Sequence, residues 1–385
     1  MKILFLCGCF EPGHDGVGDY TGRLAAELIR QGHQTGIVAL NDPHVTEVSE
    51  ATQEVDGTGI PAVRIPSFYP VKQRYLFAEP WIEDFQPDWI SLQFVPFSFH
   101  PKGLPVWLSS GIKRLKKEYK LHIMFHELWV GVNGVDTFKM RVLGALQKLL
   151  IKELIKSNTP HCITTSIPIY QQALSRTNSS LLPIFGNIPI APAEAPKGTQ
   201  ESLKVVHFGS YTDQLEEFEA QVQFLHEVAK LQGKGLEFLS FGNGGPFKDK
   251  AIRIAAQVMG EEKVKELGLL SEQQISDLFQ RSTVGISKSD LEMHGKSGST
   301  IAMLEHGLPV VLRGRKPNLD NSPLYYSEYR DQIIFCDSDA SQVFQKKPIQ
   351  STVGKTARHF IELLYECENK QTSYHQLKQA KEPVV

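Results

Sequence analysis

The sequence predicts an α/β chain folded as two Rossmann-like domains that face each other across a cleft, and three observations lead there. Buried-looking apolar runs alternate with segments of helical periodicity almost throughout, the pattern of parallel sheets with covering helices. One Pro/Ala-rich stretch, NIPIAPAEAPKGTQES, breaks that alternation near the middle. After it the alternation restarts with a second set of strands, several ending in glycine. The expected division is residues 1–188, a linker at 189–202, a second domain at 203–352, and a C-terminal helix with a polar tail at 353–385.

The elements follow in order. Lys2 to Cys9 is a continuous apolar run, as expected of a strand covered on both faces. Glu11 to Gly18 reads as a Gly-rich turn. Tyr20, Leu24 and Leu28 then recur at helical spacing, and Gly32 caps the helix. Strands are expected at 35–40, 89–94, 122–126 and 161–165. In the second half, strands are expected at 204–208, 236–241, 284–287, 309–312 and 333–336. Helices are expected at 216–232, 299–306 and about 353–368. Ser271 to Gln274 is a capping-box signature.

Composition narrows the function. The 385 residues suffice for two ordinary cores. A net charge of -2 gives no footprint for nucleic acid, so no nucleic-acid partner is expected. Five scattered cysteines do not form a disulfide framework, and Cys7 and Cys9 read as buried strand residues. The apolar start is too short for a signal peptide and lacks a cleavage site. No stretch is long and uncharged enough to span a bilayer. A cytoplasmic location is expected.

Ligands of open α/β sheets sit beyond the carboxyl ends of the strands. Three loops there carry candidate chemistry. The first, Gly13 to Tyr20, holds Gly16, Gly18 and Asp19. Its glycines let backbone N–H groups approach an anion at a helix N-terminus, or simply make a tight turn. Its spacing is neither a dinucleotide fingerprint nor a P-loop. The second is His126-Glu127 at a strand end, where His126 is placed to donate to a sugar hydroxyl or is a satisfied structural residue. The third runs from Ser287 through Lys288 to the segment Lys296, Ser297, Gly298, Ser299 and Thr300, which opens a helix containing Glu305. Its amides and lysines suit a diphosphate, and a carboxylate at Glu305 suits both hydroxyls of a ribose. A capped helix with a surface glutamate is the plainer alternative.

At this third loop, GKSGSTIAMLEHGLPVV resembles the donor-binding segment of retaining glycosyltransferases of the GT-B fold, particularly family four. GVGDYTGRLAAELIRQGHQ is similar to the first loop and helix of that family, FQPDWISLQ to its Pro-Asp strand entry, and FGNGG (Phe241 to Gly245) to its strand-end glycine turn. The resemblance covers nearly the whole chain in the same order. It implies a glycosyltransferase using a nucleoside-diphosphate sugar, with a UDP or GDP donor as co-substrate and no metal or other cofactor. It places Gly209, Gly242, Lys288 and Lys296 through Thr300 on the donor, Glu305 on the ribose, and His126 on the donor sugar. Glu127 and Asp19 are the remaining acid-base candidates. The chain departs from the family pattern at Ser297, where a glutamate is usual, and at residues 209–217, where an Arg and a Lys are usual.

The acceptor, a carbohydrate or a lipid-linked molecule, is expected on the first domain, with Phe94, Pro96, Phe97, Phe99 and Trp129 as candidate contacts or as core. Lys139 to Lys156 reads as a helix with Arg141, Lys148, Lys152 and Lys156 on one stripe and Leu143, Leu146, Leu150 and Leu154 opposite. A core helix with a solvated cationic stripe is the leading reading, and a peripheral membrane contact is the other. Lys113, Arg114, Lys116 and Lys117 form a second basic cluster. Rival functions are a non-catalytic sugar-nucleotide subunit or sensor, a sugar-nucleotide epimerase, and a nicotinamide oxidoreductase using Asp42.

Overall fold

The computed structural model describes residues 1–134, 137–192, 202–316, 329–340 and 344–379, with side chains to residue 370. The chain divides into two compact units, Met1–Pro183 with Val353–Val385, and Ile184–Thr352.

In the first unit the elements are β1 (Lys2–Cys7), α1 (Gly16–Arg30), β2 (Gln34–Asp42), β3 (Ser49–Val55), β4 (Thr58–Pro66), α2 (Val71–Phe85), β5 (Trp89–Phe94), α3 (Pro96–Phe99), α4 (Leu108–Lys116), β6 (Lys120–Phe125), α5 (Phe138–Asn158), β7 (Cys162–Thr165), α6 (Pro168–Ala173) and β8 (Ser179–Leu181). Among the described residues eight strands form one sheet in the order β3-β4-β2-β1-β5-β6-β7-β8, parallel except for β3. β1 is buried from Ile3 onward, because helices cover both faces of the sheet centre. The β3–β4 hairpin was not foreseen. Its turn is Asp56-Gly57, with φ of 48° and 72°, the doubly left-handed conformation that matches strand twist in a two-residue hairpin.

The second unit holds β9 (Ser202–Phe208), α7 (Leu215–Leu231), β10 (Gly235–Phe241), α8 (Lys248–Met259), β11 (Val264–Gly268), α9 (Glu272–Arg281), β12 (Val284–Ile286), α10 (Gly298–Glu305), β13 (Val310–Val311) and β14 (Ile333–Ile334). Among the described residues its strands form one parallel sheet, ordered β11-β10-β9-β12-β13-β14. Neighbouring strand residues feed opposite cores, as the two-residue period requires. Val205, Phe238 and Val311 pack with Phe218, Val222 and Ala255 on one face. Val206, Leu239 and Val310 pack with Phe279, Ile301 and Leu304 on the other. The Ser271 capping box forms as expected, and Gly307 ends α10 at a φ of 77°.

The domain boundaries differ from the expectation. Residues 184–188 belong to the second unit, where the Asn187 N–H bonds to the Gly298 carbonyl. Residues 193–201 of the expected linker lie outside the described residues. The last helix, α11 (Val353–Gln379), is no appendage but a part of the first unit. Thr356 Oγ1 donates to the Pro183 carbonyl, and Phe360 packs on Phe5 and His122. Crossings at 183–184 and 352–353 therefore bound the second unit.

Candidate functional site

In the first unit the sheet order reverses direction between β1 and β5, a natural ligand crevice. The N-terminus of α1 lies there, but its own carboxylates fill it. Asp15 caps the helix, its Oδ1 accepting from the N–H of Val17 at 2.8 Å and of Gly18 at 3.3 Å. Asp19 Oδ1 accepts from the Gly13 N–H at 2.9 Å. The anion site expected at Gly16 and Gly18 is thus corrected: two carboxylates already hold these donors and would repel a phosphate. Gly18 has a steric reason instead, since a Cβ there would meet the Cys9 carbonyl at 2.6 Å. Burial raises the Asp19 pKa, the Gly13 N–H opposes it, and the Asp15 charge raises it further.

His126 follows β6, is buried, and meets Tyr20 of α1 edge to face at 4.8 Å between centroids. A hydrogen-bond chain fixes it. His126 Nε2 bonds to Gln93 Oε1 at 2.8 Å, and Gln93 Nε2 donates to Ser91 Oγ at 2.7 Å. Ser91 Oγ meets His122 Nδ1 and His122 Nε2 meets Thr164 Oγ1, both at 2.8 Å. Because the Gln93 oxygen only accepts, Nε2 carries the proton on His126, leaving Nδ1 as the acceptor. Burial pushes both imidazoles down to about 3. His126 is therefore neutral near pH 7 and is no general acid there. Glu127, the next residue, is half-buried.

These histidines give a pH prediction. Their folded pKa lies below the unfolded value near 6.5, so the unfolded chain binds more protons between about pH 6.5 and 3. Stability is full above that window and falls as the pH drops through it, approaching about 1.4 kcal/mol per pH unit for each histidine. Urea unfolding of the first unit at pH 7, 6 and 5 is expected to show this loss. His122→Gln is expected to reduce the slope by one histidine's share.

The other first-unit candidates separate. Phe94, Pro96 and Phe99 are core, Phe97 is exposed, and Trp129 lies under the Lys148 ammonium at 4.7 Å. Asp42 is fully buried. Arg64 Nε donates to its Oδ2 at 2.8 Å, and the N–H groups of Phe10 and His44 also bond to it. No carboxylate oxygen there is presented to a nucleotide ribose.

The second unit reverses strand direction between β9 and β12. Beyond their carboxyl ends lies a pocket with about 290 Å³ of empty space, part of it open to solvent. Lys288 follows β12 and Arg313 follows β13, and both line it. Lys288 Nζ donates to Ser210 Oγ at 2.5 Å, which brings the Gly209 loop to the same place. Arg313 is held at 2.9 Å by Glu217 and at 3.1 Å by Asp290. Gln221 of α7 donates from Nε2 to the Ser287 and Val311 carbonyls, both at 2.9 Å, and so ties these strand ends together. His207 closes the floor. Its ring stacks on Tyr211 at 3.8 Å, burial and then the Lys288 charge push it down to about 3, and its buried Nδ1 finds no partner among the described residues. Gly209 and Gly242, at φ of 100° and 91°, make the turns that end β9 and β10, and the Gly209 N–H bonds to the Phe241 carbonyl.

The α10 segment only partly matches the expectation. Ser297 caps the helix and accepts from the Thr300 N–H at 3.3 Å. The Thr300 hydroxyl is buried between Ser297 and Ser287, so Thr300 braces the loop rather than facing a ligand. Lys296, Gly298 and Ser299 remain half-exposed at the helix start. Glu305 does not fit the ribose role. It is the last residue of an eight-residue helix, about 11 Å along the axis from Gly298. It is 2% exposed, and its Oε1 accepts from the Thr352 N–H at 2.9 Å and from the Thr352 hydroxyl. A Cβ on Gly186 would meet its Oε2 at 2.7 Å. The Gln350 N–H bonds to the Glu305 carbonyl at 2.8 Å, so Glu305 anchors the segment leading out of the unit. Sequence reasoning missed Arg313, His207 and Gln221. Arg313 alone carried a signal, a cation directly after a predicted strand.

The described residues contain no group of three or more His, Cys, Asp or Glu side chains able to hold a metal ion.

The two parallel sheets with flanking helices match solved structures of the GT-B fold. The chain is similar to a sucrose-phosphate synthase from Thermosynechococcus elongatus at 15% identity and a TM-score of 0.56, over 99% of this chain and 100% of that one. It is similar to the catalytic domain of starch synthase IV from Arabidopsis thaliana at 13% identity and a TM-score of 0.53, over 95% and 99%. It is also similar to WaaG, a glycosyltransferase involved in lipopolysaccharide biosynthesis, at 11% identity and a TM-score of 0.51, over 94% and 95%. At these identities the likeness concerns the fold. No protein-family model and no curated protein sequence matches the chain.

Proposed function

We propose that the protein is a glycosyltransferase that moves a sugar from a nucleoside-diphosphate sugar to a hydroxyl acceptor in glycan or glycoconjugate biosynthesis. The observation that carries this is the convergence of Lys288, Arg313 and the unpartnered His207 Nδ1 on a pocket at the β9/β12 reversal, beside the Gly209 turn. Such a reversal is where open α/β sheets bind nucleotides. In this reading the two cations and the free end of α10, at Lys296, Gly298 and Ser299, stabilise the leaving diphosphate, where negative charge develops. His207 gives the ligand one further hydrogen bond. Glu305 and Thr300 hold the frame, and the first unit carries the acceptor. His126 hydrogen-bonds substrate as a neutral imidazole through Nδ1, while Asp19 and Glu127 are the remaining carboxylates for proton transfer.

The test is release of nucleoside diphosphate from a panel of sugar donors, with and without polar carbohydrate and lipid-linked acceptors. Release that depends on an acceptor is expected. Tight donor binding with no turnover across the panel would favour the sensor reading, and exchange of solvent hydrogen into the recovered donor would favour the epimerase.

A further inference from the structure

The helix α5 turns its apolar side away from the protein. Its buried residues are Gly144, Gln147, Ile151, Leu154 and Asn158, one stripe at helical spacing. Phe138, Val142, Leu146 and Leu149 occupy an arc of about 80° on the opposite side. They are 79%, 44%, 44% and 60% exposed. Polar and steric anchors produce this orientation. Gln147 accepts from the Val130 N–H at 2.8 Å and donates to the Gly103 carbonyl at 3.2 Å. Asn158 donates to the Ser109 carbonyl at 3.1 Å. Gly144 admits the Val130 carbonyl, which a Cβ would meet at 2.2 Å. The expectation of a leucine-faced core helix is thereby corrected: of the four leucines only Leu154 is buried.

A water-facing ridge of large apolar side chains on one helix marks an interaction surface. Its occupant follows from charge. Arg141, Lys148 and Lys152 line one flank of the ridge, and Lys139 and Lys156 are exposed at its ends. Glu153 is the single carboxylate among the described residues of the helix, and it accepts a hydrogen bond from Ser157. A second copy packing its ridge on this one would bring the same cations together. An anionic lipid surface satisfies both features, taking the apolar ridge at the acyl boundary and the cations at the headgroups. In the second basic cluster, by contrast, Arg114 and Lys117 are already paired with Glu79 and Glu83. We infer that α5 docks the protein on an anionic membrane, with Phe138, Val142, Leu146 and Leu149 inserted and Arg141, Lys148 and Lys152 on the headgroups. This inference does not depend on the reaction proposed above.

The experiment is flotation of the full chain with vesicles of phosphatidylcholine alone or with one third phosphatidylglycerol. The wild type is expected to float with the anionic vesicles, less so in high salt, and to stay behind with the neutral ones. Arg141→Gln/Lys148→Gln/Lys152→Gln is expected to weaken partition by about 100-fold, roughly fivefold per cation. Val142→Ser/Leu149→Ser is expected to weaken it by at least about tenfold. Both variants should keep the wild-type melting temperature, since the changed side chains are exposed. Equal partition into neutral and anionic vesicles, or unchanged binding of both variants, would overturn the inference. So would a dimer that ignores vesicles and dissociates in the Leu149 variant, because a second copy would then cover the ridge.

Discussion

Arg313→Ala is expected to weaken nucleoside-diphosphate binding by about 100-fold, the upper range for a charged hydrogen bond. Two effects add. The variant loses a cation whose position is fixed by Glu217 and Asp290. It also leaves those two carboxylates beside the pocket with their charge exposed to the ligand. Lys288→Gln, which changes an exposed ammonium, is expected to lose less. Glu217→Ala should leave binding intact or tighten it. Calorimetric titration of the three variants reads the order directly, and an Arg313→Ala protein that binds like wild type would remove the pocket from the donor site.

Glu305→Ala is expected to lower the stability of the second unit by about 3 kcal/mol, with little change in diphosphate affinity. The substitution strips the Thr352 N–H and hydroxyl of a buried charged acceptor, and such a loss costs about 2–4 kcal/mol. The urea midpoint of the second unit measures it. The opposite pattern, normal stability with lost nucleotide binding, would restore the ribose role that the sequence suggested.

These two residues show where sequence reading stops. Glu305 lies in a helix after a Gly/Ser loop, and that much was visible. Which end of a short helix faces the ligand edge of the sheet depends on strand direction, and whether the carboxylate is free depends on Thr352, 47 residues away. Arg313 stood in plain view after the Pro309 to Leu312 run, but its value comes from α7 and the β12 loop meeting it. Elements governed by local rules were legible: the strand at β1, the Gly32 and Gly307 helix ends, and the Ser271 capping box. The β3–β4 hairpin escaped because SEATQEV is a polar edge strand, although Asp56-Gly57 was a usable signal. The face that α5 buries was misjudged for a similar reason. Hydrophobic periodicity pointed to its leucines, whereas Gln147, Asn158 and Gly144 decide the rotation through contacts the sequence does not display.

The central claim is that the pocket at the β9/β12 reversal binds a nucleoside diphosphate. Its most direct test is the melting temperature of the wild-type protein against UDP, GDP, ADP, dTDP and CDP, with NAD as the control. One diphosphate at a hundredfold its dissociation constant should stabilise the folded state by about 2.7 kcal/mol, and NAD should not. That shift should vanish in Arg313→Ala at the same concentration. If no diphosphate moves the wild-type transition, or if NAD alone does, the pocket is not a sugar-nucleotide site and the transferase reading falls with it.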